Sequence, residues 1–477
     1  IKNGEFKDAA NNLTFANSSL KGQISNGAAN KAASSQIVLN WFSTELNKGK
    51  IEGKLNIENF IQPHYSFSGT MAVKLADAAA LFKWNDLKKA EGSIASKLQL
   101  SGSLQSTETY TLKDWKRSKV SGDISLNDIA FYYGNGPQYF NNIRGNFKLD
   151  NNNVEVKSMH AAVNQSAFEL KGRFNNLIGY LLEEDENIMI DAALSSSAIR
   201  LEDFLLSGQD EDTSTFQLEI SPRINLYLQT EIDYLSFKTF ELNRLMGQFV
   251  VRNEQIDFRN IHFESNGGEV DGELFIRENG SKLNTFAKLD FKAINIQSLF
   301  QSFNNFGQES LMAENINGKA SATIDYSCVW SKSLLADLNS LKIESNLFIE
   351  NGELINYKPL ESLSKFVELE ELKHIRFKHL NNHILIKDRK VFIPRFDVNS
   401  SALNVGIAGS HSFDNEIDYK FTLLLNEILG KKAKKPKSNE FGYVEDDGLG
   451  RTKLFLKMTG TVDNPDISYD KEQLKTH

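Results

Sequence analysis

Residues 145–172, GNFKLDNNNVEVKSMHAAVNQSAFELKG, decide the fold of this chain: they read as strand, polar turn, strand, polar turn, strand. Phe147 and Leu149 alternate with polar neighbours. Further on, Phe168, Leu170, Gly172 and Phe174 alternate with Glu169, Lys171 and Arg173, so one face of each strand avoids water. Two more stretches keep the same plan, GQFVVRNEQIDFRNIHFESNGGEVDG at 247–272 and NHILIKDRKVFIPRFDVNSSALNVGIAG at 382–409. In each of the three, nine positions separate the opening residue from Val154, Ile256 or Val391, and a further 18, 16 and 18 lead to Gly172, Gly272 and Gly409.

Between these units lies a second recurring element, VKLADAAALF at Val73, AIRLEDFL at Ala198 and AINIQSLF at Ala293, each passing from alternation into a helix-like apolar pair. Ile199 and Ile294 are 95 positions apart, Gly145 and Gly247 are 102. A repeat of about one hundred residues exceeds ankyrin or propeller periods and suits several strands closed by a short helix. Clean period two elsewhere extends the pattern. Ile51, Gly53, Leu55 and Ile57 oppose Glu52, Lys54, Asn56 and Glu58, and Ile417, Tyr419, Phe421, Leu423 and Leu425 oppose Asp418, Lys420 and Thr422.

At 477 residues the chain exceeds one compact domain, yet its seven prolines are scattered and its polar stretches are only turns, so continuous β-structure is expected rather than linked globules. The net charge of −8, with lysines spread among acids, argues against nucleic acid. A single cysteine, Cys328, excludes an intrachain disulfide and a cysteine metal cluster. No run of about 18 apolar residues occurs. The start at Ile1 without methionine and the charged end KEQLKTH suggest a segment cut from something longer, from which a signal or anchor was removed.

Two apolar faces packed as a sandwich is the ordinary outcome for an isolated antiparallel domain. Units that repeat along one axis without linkers favour instead an elongated antiparallel sheet curled into a groove, with short interspersed helices and apolar faces turned inward. About 25 strands at roughly 4.8 Å each would extend on the order of 100 Å. The lining inferred from alternation is Ile51, Leu55, Ile57, Phe147, Leu149, Phe168, Leu170, Phe249, Val251, Ile256, Phe258, Phe421, Leu423 and Leu425. An open apolar surface of that size calls for an apolar occupant, because each buried Leu or Phe contributes roughly 1.5–3 kcal/mol.

The most specific text comes late: NGELINYKPLESLSKF at 351–366 and EDDGLGRTKLFLKMTGTVDNPDISYD at 445–470. These resemble the C-terminal region of the AsmA family, and AIRLEDFLLSGQ and AINIQSLFQSFNNFGQ look like its internal repeats, particularly in AsmA-like proteins of Bacteroidota. The resemblance divides the chain into a repeating segment, 1–345, and an AsmA-like C-terminal region, 346–477. It implies a relation to TamB and YhdP, and through it a repeating β-groove that carries phospholipid acyl chains between inner and outer membranes. It further implies a monomeric, non-enzymatic periplasmic protein without cofactor, held at the inner membrane by a helix not present in this sequence.

Other motifs carry bland readings. His374, His379 and His383 fall in one strand, where residues four apart stand about 13 Å from one another, too far to share an ion. Ser362 and Lys365 form a lone S-x-x-K without its partner motifs. After Pro359, the spacing of Leu360, Leu363, Phe366 and Val367 predicts an amphipathic helix, read as a packed cap on the groove, with a mobile plug or a membrane-touching helix at the groove's end as its rivals. In KKAKKPK, Lys431, Lys432, Lys434 and Lys435 are candidates for contact with anionic headgroups, against a solvated loop as the alternative. Pro465 is expected to open a terminal edge strand. Two further functions share the repeats: an assembly factor for outer-membrane proteins working through strand edges, and a structural β-solenoid with a filled interior.

Overall fold

The computed structural model describes residues 1–8, 12–82, 84–104, 114, 117–204, 217–307, 311–365, 369–402, 404–424, 445–446 and 452–471. They form two compact units. The first comprises Ile1–Phe216, Ile220–Leu235 and Gln248–Ile256, the second Gln217–Glu219, Ser236–Gly247 and Asp257–His477. The fold is the expected one, mainly β, antiparallel and open, with few short helices.

In the first unit the strands are β1 (Gly4–Asp8), β2 (Leu13–Ser25), β3 (Gln36–Leu46), β4 (Gly49–Glu58), β5 (His64–Lys74), β6 (Leu87–Ser103), β7 (Lys119–Tyr133), β8 (Tyr139–Asp150), β9 (Asn153–Val163), β10 (Ser166–Asn175) and β11 (Ile188–Arg200). Each pairs antiparallel with the next, an unbroken meander. Residues of β12 (Ile224–Phe237), β13 (Phe240–Arg252) and β14 (Gln255–Ser265) are shared out between the units. The second unit holds β15 (Gly268–Asn279), β16 (Lys282–Asn295), β17 (Ile316–Ser331), β18 (Ala336–Ile355), β19 (His374–Lys387), β20 (Lys390–Asn399), β21 (Asn404–Ser412), β22 (Glu416–Leu424), β23 (Glu445–Asp446), β24 (Thr452–Thr461) and β25 (Pro465–Tyr469). Pairing again follows chain order, except that β22 pairs with β24 and β23 is a short addition to β24. Pro465 opens β25 as its pattern predicts, opposite Gly460.

The three spaced stretches each become three strands, β8–β10, β13–β15 and β19–β21. Each of the turns Asn253–Glu254, Asn266–Gly267 and Asp388–Arg389 opens on an Asn or Asp, which tolerates left-handed backbone, and both residues of each have positive φ, the geometry that matches strand twist in tight hairpins. The recurring glycines serve close approach. A Cβ at Gly172 would stand 2.4 Å from the Asp191 carbonyl oxygen, and one at Gly272 would stand 2.1 Å from that of Lys288. Both residues also hold φ values, +156° and +154°, that L side chains avoid.

One feature of the strands lies outside simple alternation. Several of them carry an extra residue between two apolar ones, among them Leu126-Asn-Asp-Ile129, Phe140-Asn-Asn-Ile143, Leu242-Asn-Arg-Leu245, Phe258-Arg-Asn-Ile261 and Phe291-Lys-Ala-Ile294. The third residue of each, Asp128, Asn142, Arg244, Asn260 or Ala293, has φ between 50° and 54°. The ladder shifts register at Leu126/Ile129, Asn141/Arg144 and Phe291/Ile294 accordingly. These are β-bulges, and each returns the following residue to the apolar face. Ile129, Ile143, Leu245, Ile261 and Ile294, the residues after them, are all 9% exposed or less.

Helices α1 (Leu75–Phe82), α2 (Leu177–Leu182) and α3 (Ile296–Ser302), with the 3₁₀ turn Leu201–Asp203, lie at strand ends. Three of these four dock on the hairpin turn formed two strands earlier. Asn47 in the β3–β4 turn donates to Asp77 of α1 at 2.5 Å, and Ser166 beside the β9–β10 turn donates to Asp203 at 2.7 Å. Ser302 at the end of α3 donates to Asn266 in the β14–β15 turn at 2.9 Å. The about-hundred-residue repeat is therefore a packing unit: an up-running strand ends, and its helix folds back over the apolar face beside the neighbouring hairpin.

Candidate functional site

The apolar face has a buried band and an open band. The buried band lies under the helices, where Leu75 of α1 packs with Ile129, Ile143 and Ala161, and Val73 and Ala78 pack with Leu13 and Leu46. The open band is set by register. From β3 to β11, Phe42, Gly53, Gly69, Leu98, Gly122, Leu149, Val154, Phe174 and Ile190 follow one another as direct cross-strand partners. Eight interstrand steps make this row about 38 Å long, more than the roughly 30 Å hydrocarbon core of a bilayer. A parallel row links Leu39, Leu55, Phe67, Leu100 and Val120. Apart from Leu149 and Val120, which are buried, these side chains are half-buried. The glycines among them leave the floor low where bulky side chains would fill it.

The reverse face is charged with equal regularity. Lys97, Asp123, Lys148, Glu155, Arg173 and Asp191 are successive cross-strand partners on β6 to β11, exposed and alternating in sign. Each opposite pair is worth roughly 0.2–1 kcal/mol and penalises a one-residue slip that would bring apolar side chains to water.

The second unit has a row of its own, in which Leu274, Ala287, Tyr326, Ile343, Ile386 and Val391 are successive cross-strand partners, half-buried except for the buried Ala287. The Tyr326 hydroxyl accepts from the Trp330 indole at 3.0 Å, and burial pushes its pKa up to about 12. Over β21–β25 the face changes character. Phe421, Leu423, Leu454, Leu456 and Met458 are at most 3% exposed, in one cluster with Leu363 and Leu372, against which Leu360 packs. Burial raises the hydroxyl pKa of Tyr419 and pushes that of Tyr357 up to about 12, and it lowers the pKa of His411, which stands 3.5 Å from the Tyr419 hydroxyl. Each shift favours the neutral form, so these groups add no charge to the apolar face at neutral pH.

The covering residues differ from the single amphipathic helix expected after Pro359. They occupy α4 (Lys358–Glu361), a 3₁₀ turn (Ser362–Lys365) and α5 (Leu369–Lys373). The Ser362 hydroxyl donates back to the Pro359 carbonyl at 2.6 Å, a local bond that competes with helical continuation. Phe366 and Val367 lie outside the described residues.

Of the inferred lining, Ile51, Leu55, Ile57, Phe147, Phe168 and Leu170 are half-buried on β4, β8 and β10, and Leu149 is buried. Ile51 faces Met71, Leu55 faces Phe67 and Ile57 faces Tyr65. Phe249, Val251, Ile256 and Phe258 are half-buried on β13 and β14. Phe421 and Leu423 are buried in the covered cluster. Leu425, Lys431, Lys432, Lys434 and Lys435 lie outside the described residues. The three histidines of β19 go separate ways: His374 lies 3.5 Å from Glu353, His379 stacks on Phe348, and His383 bonds Asn346 at 3.0 Å. Sequence reasoning missed the bulges and the turn-docking residues Asn47, Asp77, Asp203 and Asn266; the signals were a pair of large apolar residues split by two others, usually polar, and an Asn in each hairpin turn.

Comparison with protein-family models, with characterised proteins and with solved structures gives no match to this chain.

Proposed function

We propose that this chain is a non-enzymatic carrier of phospholipid in the periplasm, in which acyl chains lie along the open apolar band while headgroups remain in water, moving lipid between the inner and outer membranes as a monomer. The observation that carries the reading is the register-matched row from Phe42 to Ile190, without a charged residue across nine strands and half-buried at every position but Leu149. A surface of this kind in water is stabilised by an apolar occupant at about 25 cal/mol per Å² covered. Its length suits chains rather than a compact ligand, and the glycine positions leave it shallow and continuous rather than pocketed. The resemblance of residues 351–366 and 445–470 to the AsmA family supports the same assignment and supplies the membranes as its ends.

Native mass spectrometry of protein purified without detergent, with lipid extraction alongside, tests it. Several diacyl phospholipids per chain are expected. A chain that stays free of lipid after incubation with phospholipid vesicles would overturn the reading and favour a sheet whose faces serve assembly alone.

A further inference from the structure

We propose that α4, the turn Ser362–Lys365 and α5 form a built-in stopper, which occupies the apolar face of β21–β25 in place of acyl chains and ends the lipid-binding band before β21. The inference rests on the lipid-carrier reading and assigns it a boundary.

Three observations carry it. The first is the contrast in burial along the apolar face of the second unit: Ile343, in its open row, is half-buried, whereas Leu454, Leu456 and Met458 are at most 1% exposed. The covering atoms are apolar, from Leu360, Leu363 and Leu372, so the segment presents to the sheet the surface an acyl chain would present.

The second is how the segment joins the sheet. It leaves β18 after Ile355 and returns to β19 at His374, and these two residues are themselves cross-strand partners. The Asn356 amide donates to the Lys373 carbonyl at 2.8 Å, pinning the two stems. The excursion is thus closed at its base, and its displacement leaves the β18–β19 ladder intact.

The third is its weak autonomy. Helices of four and five residues do not persist alone in water, so the cover holds only through the side chains it buries. Leu363 and Leu372, 3% and 1% exposed, are its two main anchors.

The test uses the full chain with vesicles of phosphatidylethanolamine and phosphatidylglycerol containing a phospholipid with a diazirine in its acyl chain, and maps photolabelled peptides by mass spectrometry. The wild type is expected to label around Leu55 and Leu98 and to leave the peptide around Leu454 to Met458 at background. The double variant Leu363→Asp and Leu372→Asp is expected to raise labelling of that peptide at least five-fold, with hydrogen exchange of β18 and β19 unchanged. Wild-type labelling of the Leu454 peptide equal to that around Leu98 overturns the stopper while leaving the carrier reading standing. So does a double variant that folds but stays unlabelled there, or one that loses exchange protection in β18 and β19, since the segment would then be ordinary core. Absence of labelling at Leu55 and Leu98 as well overturns the carrier reading itself, and the stopper with it.

Discussion

At the scale of single residues, Gly272 shows most directly how sequence becomes shape. Its missing Cβ lets the Lys288 carbonyl and the Leu289 backbone approach, and its φ of +154° is one that side chains resist. Gly272→Val introduces a clash with backbone and a strained dihedral together, so a loss of about 2–4 kcal/mol is expected. Urea unfolding of the second unit, followed by hydrogen exchange of β15 and β16, measures it; a change under 1 kcal/mol would show that the strand relaxes there. His411 offers a pH handle. Its folded pKa lies below the ordinary 6.5 because burial disfavours the imidazolium. The unfolded chain therefore binds a proton that the folded one refuses, and stability is complete above pH 6.5 and falls as the pH drops through that value. Exchange protection of β21 and β22 is expected to weaken between pH 7.5 and 5.5, and His411→Gln to flatten the trend. A wild type as protected at 5.5 as at 7.5 would contradict the sign.

At the scale of elements, the hairpins were legible and the bulges were not. Period two in 145–172 gives the three strands β8, β9 and β10, because Phe147, Leu149, Phe168 and Leu170 alternate without interruption, but not the start of β8, which lies six residues before Gly145 at Tyr139, on the far side of the bulge at Asn142. In 120–133 the same rule fails at Asn127 and Asp128, since a bulge breaks the period while conserving the face, and only the register of β7 against β8 reveals it. Helix α3 was legible from its apolar pair; its docking was not, because Ser302 and Asn266 are 36 positions apart and meet only once β14 to β16 are paired. The site divided likewise. Alternation identifies which residues share a face, but whether that face is open, as at Ile343, or covered, as at Leu423, depends on a segment about sixty residues before Leu423 that folds back over it. Docking of α1 supplies a test of the repeat as a packing unit. Asp77→Ala removes the acceptor for Asn47, and since the pair is exposed the expected cost is small, about 1 kcal/mol, confined to α1 and the β3–β4 turn. Exchange of the α1 amides should quicken about five-fold while β7 to β11 stay unchanged; slowed or uniform exchange would show that α1 is held by Leu75 and Ala78 alone.

At the scale of the whole molecule, the same ladders that align apolar residues on one face align charges on the other, so the two faces can be perturbed separately in strands that share every backbone hydrogen bond. Leu55→Glu with Leu98→Glu places two carboxylates in the open band, where an apolar occupant would have to desolvate them at several kcal/mol each. Because both positions are half-buried, the charges can reach water in the empty protein and folding is retained. Lys97→Glu with Arg173→Glu changes the total charge further but touches only the reverse face, at a cost of roughly 1–2 kcal/mol from the lost pairs with Asp123, Glu155 and Asp191. If acyl chains occupy the apolar face, bound phospholipid counted by native mass spectrometry falls several-fold in the first variant and is unchanged in the second. Equal loss in both would point to charge or stability rather than to a face, and loss in the second alone would place the lipid on the reverse face through its headgroups.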